Sequence, residues 1–192
     1  MRIGVDIDGV LADTLPLWVG ELNKHFNKNK KVEEIHLYDL LETFELDNDQ
    51  LRGFIKEKGQ YMMSAPAPIP GAAHYLKKIK DEHYVVIVTA RQELYREATE
   101  GWLERNSMRY DELLLTGTHE KADICREHGL QIMIEDTLEV GLGLSSAGIP
   151  VLLLDAPYNR RTLPELVTRV YNWEEIYQKI SNHLARIVNN PR

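Results

Sequence analysis

The chain has 192 residues, 43% of them apolar, enough for one domain with an appendage around a buried core. With 23 basic against 30 acidic side chains the formal charge is −7, and no stretch has the basic density of a nucleic-acid groove. This argues against a nucleic-acid polymer as partner but not against a small anionic substrate, which a local cationic pocket or a metal attracts despite the overall sign.

The run Arg2-Ile3-Gly4-Val5-Asp6-Ile7-Asp8-Gly9-Val10-Leu11-Ala12-Asp13 comes first. A strand over Ile3 to Ile7 places Asp6 and Asp8 in alternate positions, and Gly9 breaks the strand with a turn. The two carboxylates then suit a nucleophile and an acid/base or metal ligand; equally, the segment reads as a strand ending in a polar turn. From Thr14 to Ala67 no strand of core quality occurs. Leu15-Trp18-Leu22-Phe26, Leu37-Leu40-Leu41-Phe44 and Leu51-Phe54-Ile55 follow helical spacing, and the proline-rich Ser64 to Gly71 reads as a return linker.

Beyond it, apolar runs alternate with helical patterns. Tyr84 to Val88 ends in Thr89-Ala90-Arg91, a helical stretch spans Gln92 to Arg105, and Leu113 to Leu115 precedes Lys121, which opens a helix to Glu127. Gln131 to Ile134 ends in Glu135-Asp136, Leu138 to Ala147 is helical, and Val151 to Leu154 is a fifth strand; Asn106, Gly129 and Gly148 are the expected helix stops. The pattern predicts an α/β fold with a parallel sheet of about five strands and helices on both faces. Thr89, Arg91, Lys121, Glu135 and Asp136 all follow strand carboxyl ends, where open α/β sheets place their ligand crevice. The single cysteine, Cys125, lies in the Lys121 helix and reads as a packing residue. With no internal disulfide, no long apolar span and no leader-like stretch before Ile3, the expected compartment is a reducing cytoplasm, with no membrane partner.

Taken in order, Asp6-x-Asp8-Gly9, Thr89, Lys121 and Glu135-Asp136 resemble the four motifs of the haloacid dehalogenase (HAD) superfamily of phosphohydrolases. Asp8-Gly9-Val10-Leu11-Ala12-Asp13, the helical insert after it, Asp155-Ala156-Pro157-Tyr158-Asn159 and Val170-Tyr171-Asn172-Trp173-Glu174-Glu175 resemble the cytosolic-type 5'(3')-deoxyribonucleotidases and their bacterial relatives. The resemblance implies a HAD-like Rossmannoid core over 1–13 and 68–192 with a small helical cap over 14–67. It further implies that Asp6 attacks phosphorus to give an aspartyl-phosphate, while Asp8 protonates the leaving oxygen and then deprotonates water. Mg²⁺ would be held by Asp6, the main-chain carbonyl of Asp8 and Asp136, since three carboxylates around a phosphate call for a hard cation. Thr89 and Lys121 would bind the phosphoryl oxygens. The substrate would be a small phosphorylated metabolite, a nucleoside monophosphate and in particular a deoxyribonucleotide; a phosphosugar served by the same machinery, or a catalytically silent nucleotide-binding protein, are the other readings.

Several positions stay open. Arg91 can reach the phosphate, pair with a carboxylate or face solvent. Glu135 stands where the relatives have Asp, and its extra methylene favours a supporting role over direct ligation. Thr14 replaces the aromatic residue that stacks on the base in the mammalian-type enzymes. Base contacts would then come from Trp18, Tyr38, Phe44, Tyr61 or Met62, each of which could equally pack the cap's own core. The stretch Tyr158 to Arg161 could touch the far end of the substrate or close the domain edge. His119 lies near Lys121, and the other histidines show no paired ligand spacing. Oligomeric state is not legible.

Overall fold

The computed structural model describes residues 1–35 and 40–189, with side chains through residue 182. Strands β1 (Arg2–Val5), β4 (Tyr84–Thr89), β5 (Glu112–Leu115), β6 (Ile132–Glu135), β7 (Val151–Leu154) and β8 (Val167–Val170) form a sheet in the order β5-β4-β1-β6-β7-β8, with every pairing parallel. A second, two-stranded sheet pairs β2 (Ala12–Asp13) with β3 (Ala67–Pro68). The chain lays β4 and β5 on one side of β1 and then β6, β7 and β8 on the other. The crevice therefore opens at the carboxyl ends of β1, β4 and β6, at the topological switch point.

The main sheet has six strands rather than about five. The unforeseen one, β8, carries Thr168 and Arg169 between Val167 and Val170 and pairs only with β7. An edge strand has fewer apolar neighbours to satisfy, so its run is too short and polar to stand out. Strand β1 is also shorter than Ile3 to Ile7. The Ile7 carbonyl accepts the amides of Val10, Leu11 and Ala12 at 3.2, 2.8 and 2.8 Å, which curls the chain out of the sheet just past Val5. Similarly, Ser64 to Gly71 is not a bare linker: Ala67–Pro68 makes the β3 pairing, and Ile69 N–H donates to the Leu11 carbonyl at 2.8 Å.

Strict alternation splits the strands between two cores. Val85, Ile87, Ile132, Ile134, Leu152 and Leu154 pack with α4 (Ala72–Glu82), α5 (Arg96–Arg105) and α8 (Trp173–Asn189). Val86, Val88, Met133, Val151 and Leu153 face α6 (Ala122–Glu127) and α7 (Leu138–Ser146). Cys125 is fully buried in the second core, and burial pushes its thiol up to about 11, an inert packing residue as expected. Glycines 129 and 148, at φ +63° and +80°, end the two helices as expected.

Between β2 and β3 lie α1 (Thr14–Phe26), α2 (Leu40–Phe44) and α3 (Asn48–Ser64), which enclose a third cluster of Leu15, Val19, Leu22, Ile35, Phe44, Phe54 and Met62. Helix α3 starts on a reciprocal capping box: Gln50 N–H donates to Asp47 Oδ1 at 2.8 Å and Asp47 N–H to Gln50 Oε1 at 2.9 Å. Leu37, read into the second helix, lies outside the described residues. Two buried indoles hold the segments where the chain leaves and rejoins the core. Trp173 Nε1 donates to the Val10 carbonyl at 2.9 Å and Trp102 Nε1 to the Pro66 carbonyl at 2.8 Å. Among the described residues, no helix is long and apolar enough to cross a membrane.

Replacing either indole by phenylalanine keeps most of the buried ring but orphans a buried carbonyl. Trp102→Phe and Trp173→Phe should each lower unfolding free energy by about 1–3 kcal/mol in urea titrations. Unchanged midpoints would show that neither bond contributes.

Candidate active site

The loop after β1 carries the first two carboxylates. Asp6 still belongs to the sheet edge, its N–H donating to the Ile134 carbonyl at 3.0 Å, and its side chain is buried. Lys121, only 2% exposed, reaches in from the start of α6. Its Nζ donates to Asp6 Oδ1 at 2.8 Å and to Glu135 Oε1 at 2.7 Å. Burial works against the Lys121 ammonium, but the two carboxylates outweigh it and hold its pKa above the ordinary lysine value. Asp6 is pushed up to about 7, chiefly by burial, with Lys121 opposing and Glu135 and Asp8 adding to the rise.

Glu135 ends β6 with both oxygens engaged. Oε1 receives Lys121, and Oε2 receives the N–H groups of Asp136 at 2.8 Å and Thr137 at 3.3 Å. The longer side chain thus folds back onto the backbone leading into α7. Asp136 is turned the other way, where the Tyr158 hydroxyl donates to its Oδ2, and Asn159 Nδ2 donates to its main-chain carbonyl at 2.6 Å. Burial, together with Glu135 and Asp6, raises the Asp136 carboxyl well above the usual range. Ligand atoms of Asp6, Glu135 and Asp136 lie within 4.8 Å of one another, an all-oxygen set suited to a hard cation. Gly9, at φ +80°, packs directly against Asp136; a Cβ there would come within 1.9 Å of Asp136 Oδ2.

Asp8 lies beyond the sheet, its carboxylate gripped on both oxygens by Arg91: Nη2 to Oδ1 at 2.7 Å and Nε to Oδ2 at 2.9 Å. Of the placements open to Arg91 in the sequence, the structure has it paired with a carboxylate. Thr89 is fully buried at the end of β4, its Oγ1 accepting the Arg91 N–H at 3.3 Å. Asp6, Lys121, Asp136 and Glu135 are thus gathered at adjacent strand ends, with Asp8, Arg91 and Thr89 beside them.

The proposed wall residues divide. Phe44 and Met62 are completely buried inside the helical cluster, so they cannot line a pocket. Trp18 is half-buried, its ring centroid 5.9 Å from that of Phe54, while Tyr61 is 48% exposed; Tyr38 lies outside the described residues. Thr14 is buried. A cleft of about 740 Å³ opens beside the carboxylates, lined by His119, Lys121, Thr137, Val140, Leu144 and Tyr158. Tyr158 and Asn159 hold Asp136 rather than the domain edge, whereas Arg160 and Arg161 make ion pairs with Asp155 and Glu139. The supporting role of Tyr158 and Asn159 was missed in the sequence; their place just past β7, on the same crevice edge, was the available signal.

Comparisons with known proteins show the family. A nucleotidase of Clostridium acetobutylicum is 29% identical over 178 residues, covering 92% of this chain and 92% of that protein. A 5'(3')-deoxyribonucleotidase of Bacillus subtilis is 28% identical over 184 residues, covering 93% and 97%. Among solved structures, magnesium-bound YfnB of Bacillus subtilis superposes with a TM-score of 0.64 at 15% identity over 93% of this chain and 97% of its own, a likeness of fold. The family model described as 5' nucleotidase, deoxy (pyrimidine), cytosolic type C protein matches residues 1–187. With nearly the whole chain matched, this protein belongs to that nucleotidase family and is a hydrolase of phosphoric monoesters, on a fold shared with HAD-like hydrolases.

Proposed function

We propose that this chain is a Mg²⁺-dependent phosphatase of nucleoside monophosphates, preferring deoxyribonucleotides, that works through an aspartyl-phosphate on Asp6. The carrying observation is the buried Lys121 ammonium at 2.8 Å from Asp6 Oδ1, with Asp136 in the same acidic cluster and the Asp8 charge close enough to add to the rise in the Asp6 pKa. The family match and the names of the relatives supply the substrate class.

Asp6 forms a bond to phosphorus as the ester P–O bond breaks, and Asp8 passes its proton to the departing oxygen. Asp8 then takes a proton from the water that displaces Asp6 and releases phosphate. Thr89 and Lys121 donate to the phosphoryl oxygens as charge redistributes over them. Four carboxylates against Lys121 and Arg91 leave the site anionic, which fits a divalent cation: Asp6, Asp136 and the Asp8 carbonyl would hold Mg²⁺. When bound, the ion offsets the phosphoryl charge. Glu135, saturated by Lys121 and two backbone amides, orients rather than ligates. Residues 14–67 serve as a cap over a core of 1–13 and 68–192, and the cap chooses the substrate. Trp18 is its aromatic candidate for the nucleoside, since Thr14 offers no ring. A phosphosugar substrate is the second reading, favoured by that same buried threonine.

Phosphate release from nucleoside 5'- and 3'-monophosphates and phosphosugars should be Mg²⁺-dependent, abolished by chelator, and concentrated on the nucleotides. Asp6→Asn should reduce it by a factor on the order of 10³ or more while nucleotide binding persists. Release confined to phosphosugars would keep the chemistry and sink the substrate; unchanged turnover in Asp6→Asn would remove the nucleophile.

A cation displaces protons from its carboxylates, so raised pKa values mean proton competition. Above about 7 Asp6 is ionised and its proton no longer competes with Mg²⁺. As pH falls through that value, affinity should weaken by about tenfold per unit, more steeply where Asp136 also takes up a proton. Calorimetric titration with Mg²⁺ from pH 5.5 to 8.5 measures this; a flat profile would contradict it.

A further inference from the structure

Arg91 is 5% exposed and committed on three sides. One edge of its guanidinium forks onto Asp8, at 2.7 and 2.9 Å. Its Nη1 points the other way, donating to the Met63 carbonyl at 3.0 Å and to Thr99 Oγ1 at 3.3 Å. Met63 lies in the last turn of α3, where helix carbonyls lack intrahelical donors, and Thr99 is fully buried on α5. The side chain therefore spans from a helix end and a core hydroxyl to the carboxylate of a loop residue outside the sheet.

We propose that Arg91 is the positioning residue for Asp8: a bidentate bracket that fixes the plane of the carboxylate relative to the phosphoryl site, rather than a phosphate ligand. The inference rests on the acid/base role proposed for Asp8. A proton donor must lie within hydrogen-bond reach of the ester oxygen and point at it, and small misplacements cost large factors in rate. The two-point fork holds both carboxylate oxygens, while each keeps a lone pair outside the fork for proton transfer. A single ammonium cannot hold a plane, so lysine is a poor substitute.

The test exploits the leaving group. A nucleoside alkoxide needs the Asp8 proton as its P–O bond breaks, whereas nitrophenolate departs without it. Their kcat/KM values report only steps through departure of the leaving group, before the aspartyl-phosphate is hydrolysed. In Arg91→Met, kcat/KM should fall about 100-fold for a deoxynucleoside monophosphate and less than about fivefold for p-nitrophenyl phosphate. Arg91→Lys should fall between wild type and Arg91→Met on the nucleotide. The ratio of the two substrates does not depend on the folded fraction, so poor folding cannot mimic the result. Inhibition by inorganic phosphate should stay within about threefold of wild type, because no phosphate contact is lost.

Asp8→Asn should show the same asymmetry, and adding Arg91→Met to it should cost little more, since both changes disable one unit. Equal losses on both substrates, or phosphate inhibition weakened tenfold or more, would overturn the bracket and make Arg91 a general support or a phosphate contact. Full nucleotide turnover by Asp8→Asn would overturn instead the acid/base assignment on which the bracket rests.

Discussion

One buried ammonium holds the site together. Lys121 comes from the start of α6 and touches carboxylates at the ends of β1 and β6, so three segments distant in sequence meet on a single nitrogen. An isolated charge at that depth would be prohibitive, and removing one partner of such a cluster costs about 3–5 kcal/mol because the other is left uncompensated. The effect of Lys121 extends beyond the ion pairs. By engaging one oxygen of Glu135 it leaves the second for the amides that begin α7, and that fold-back turns Asp136 toward the crevice. Asp6, the proposed nucleophile, and Asp136, the candidate metal ligand, are thus set by the same cation. Lys121 does not neutralise the cluster: burial first, and then the neighbouring carboxylates, hold the Asp6 and Asp136 pKa values up despite it.

The helical segment is tied to this arrangement at its exit more firmly than at its start. The last carbonyls of α3 and the residues after it receive Arg91 at Met63, Arg105 at Ser64 and Trp102 at Pro66, with donors from β4's end and α5. Beside them, Tyr95 fits against Gly59, where a Cβ would lie 2.3 Å from the Tyr95 hydroxyl oxygen. At its start the anchor is the Trp173 bond to Val10 and the two-residue β2–β3 pairing. Helix α3 is therefore a strut continuous with the core, and the groups that would carry substrate preference are built on it and on α1.

How far the sequence could be read follows from what each feature depends on. Strand-end residues were legible because a parallel sheet gathers its carboxyl ends whatever the loops do, so Asp6, Thr89, Lys121 and Asp136 needed only correct strand identification. Contacts set by the direction of a side chain across distant segments were not. The Arg91 fork on Asp8, the fold-back of Glu135 and the Tyr158 hydroxyl on Asp136 each join residues whose local patterns carry no record of the partner. Strand β8 escaped for a different reason: at the sheet edge it needs little hydrophobic character. Phe44 and Met62 show the ambiguity of an apolar residue in an insert, where helical spacing marks an inner face without saying whether core or ligand fills it.

Gly9 shows how tightly the two ends of the motif set are fitted. Its positive φ lets the chain reverse directly after Asp8, and the missing side chain lets that turn approach Asp136 more closely than any Cβ allows. A methyl group there would meet the Asp136 carboxylate at 1.9 Å and the Tyr158 hydroxyl at 3.0 Å, both buried and already bonded to each other. Relief would have to come from moving one loop off the other, and the loop that moves carries either Asp8 or Asp136. The glycine in the first motif therefore does more than permit a turn: it sets the distance between the Asp8 loop and the Asp136 carboxylate. Tyr158 and Asn159 complete the fit from behind Asp136, so the spacing is fixed from both sides before any ligand arrives.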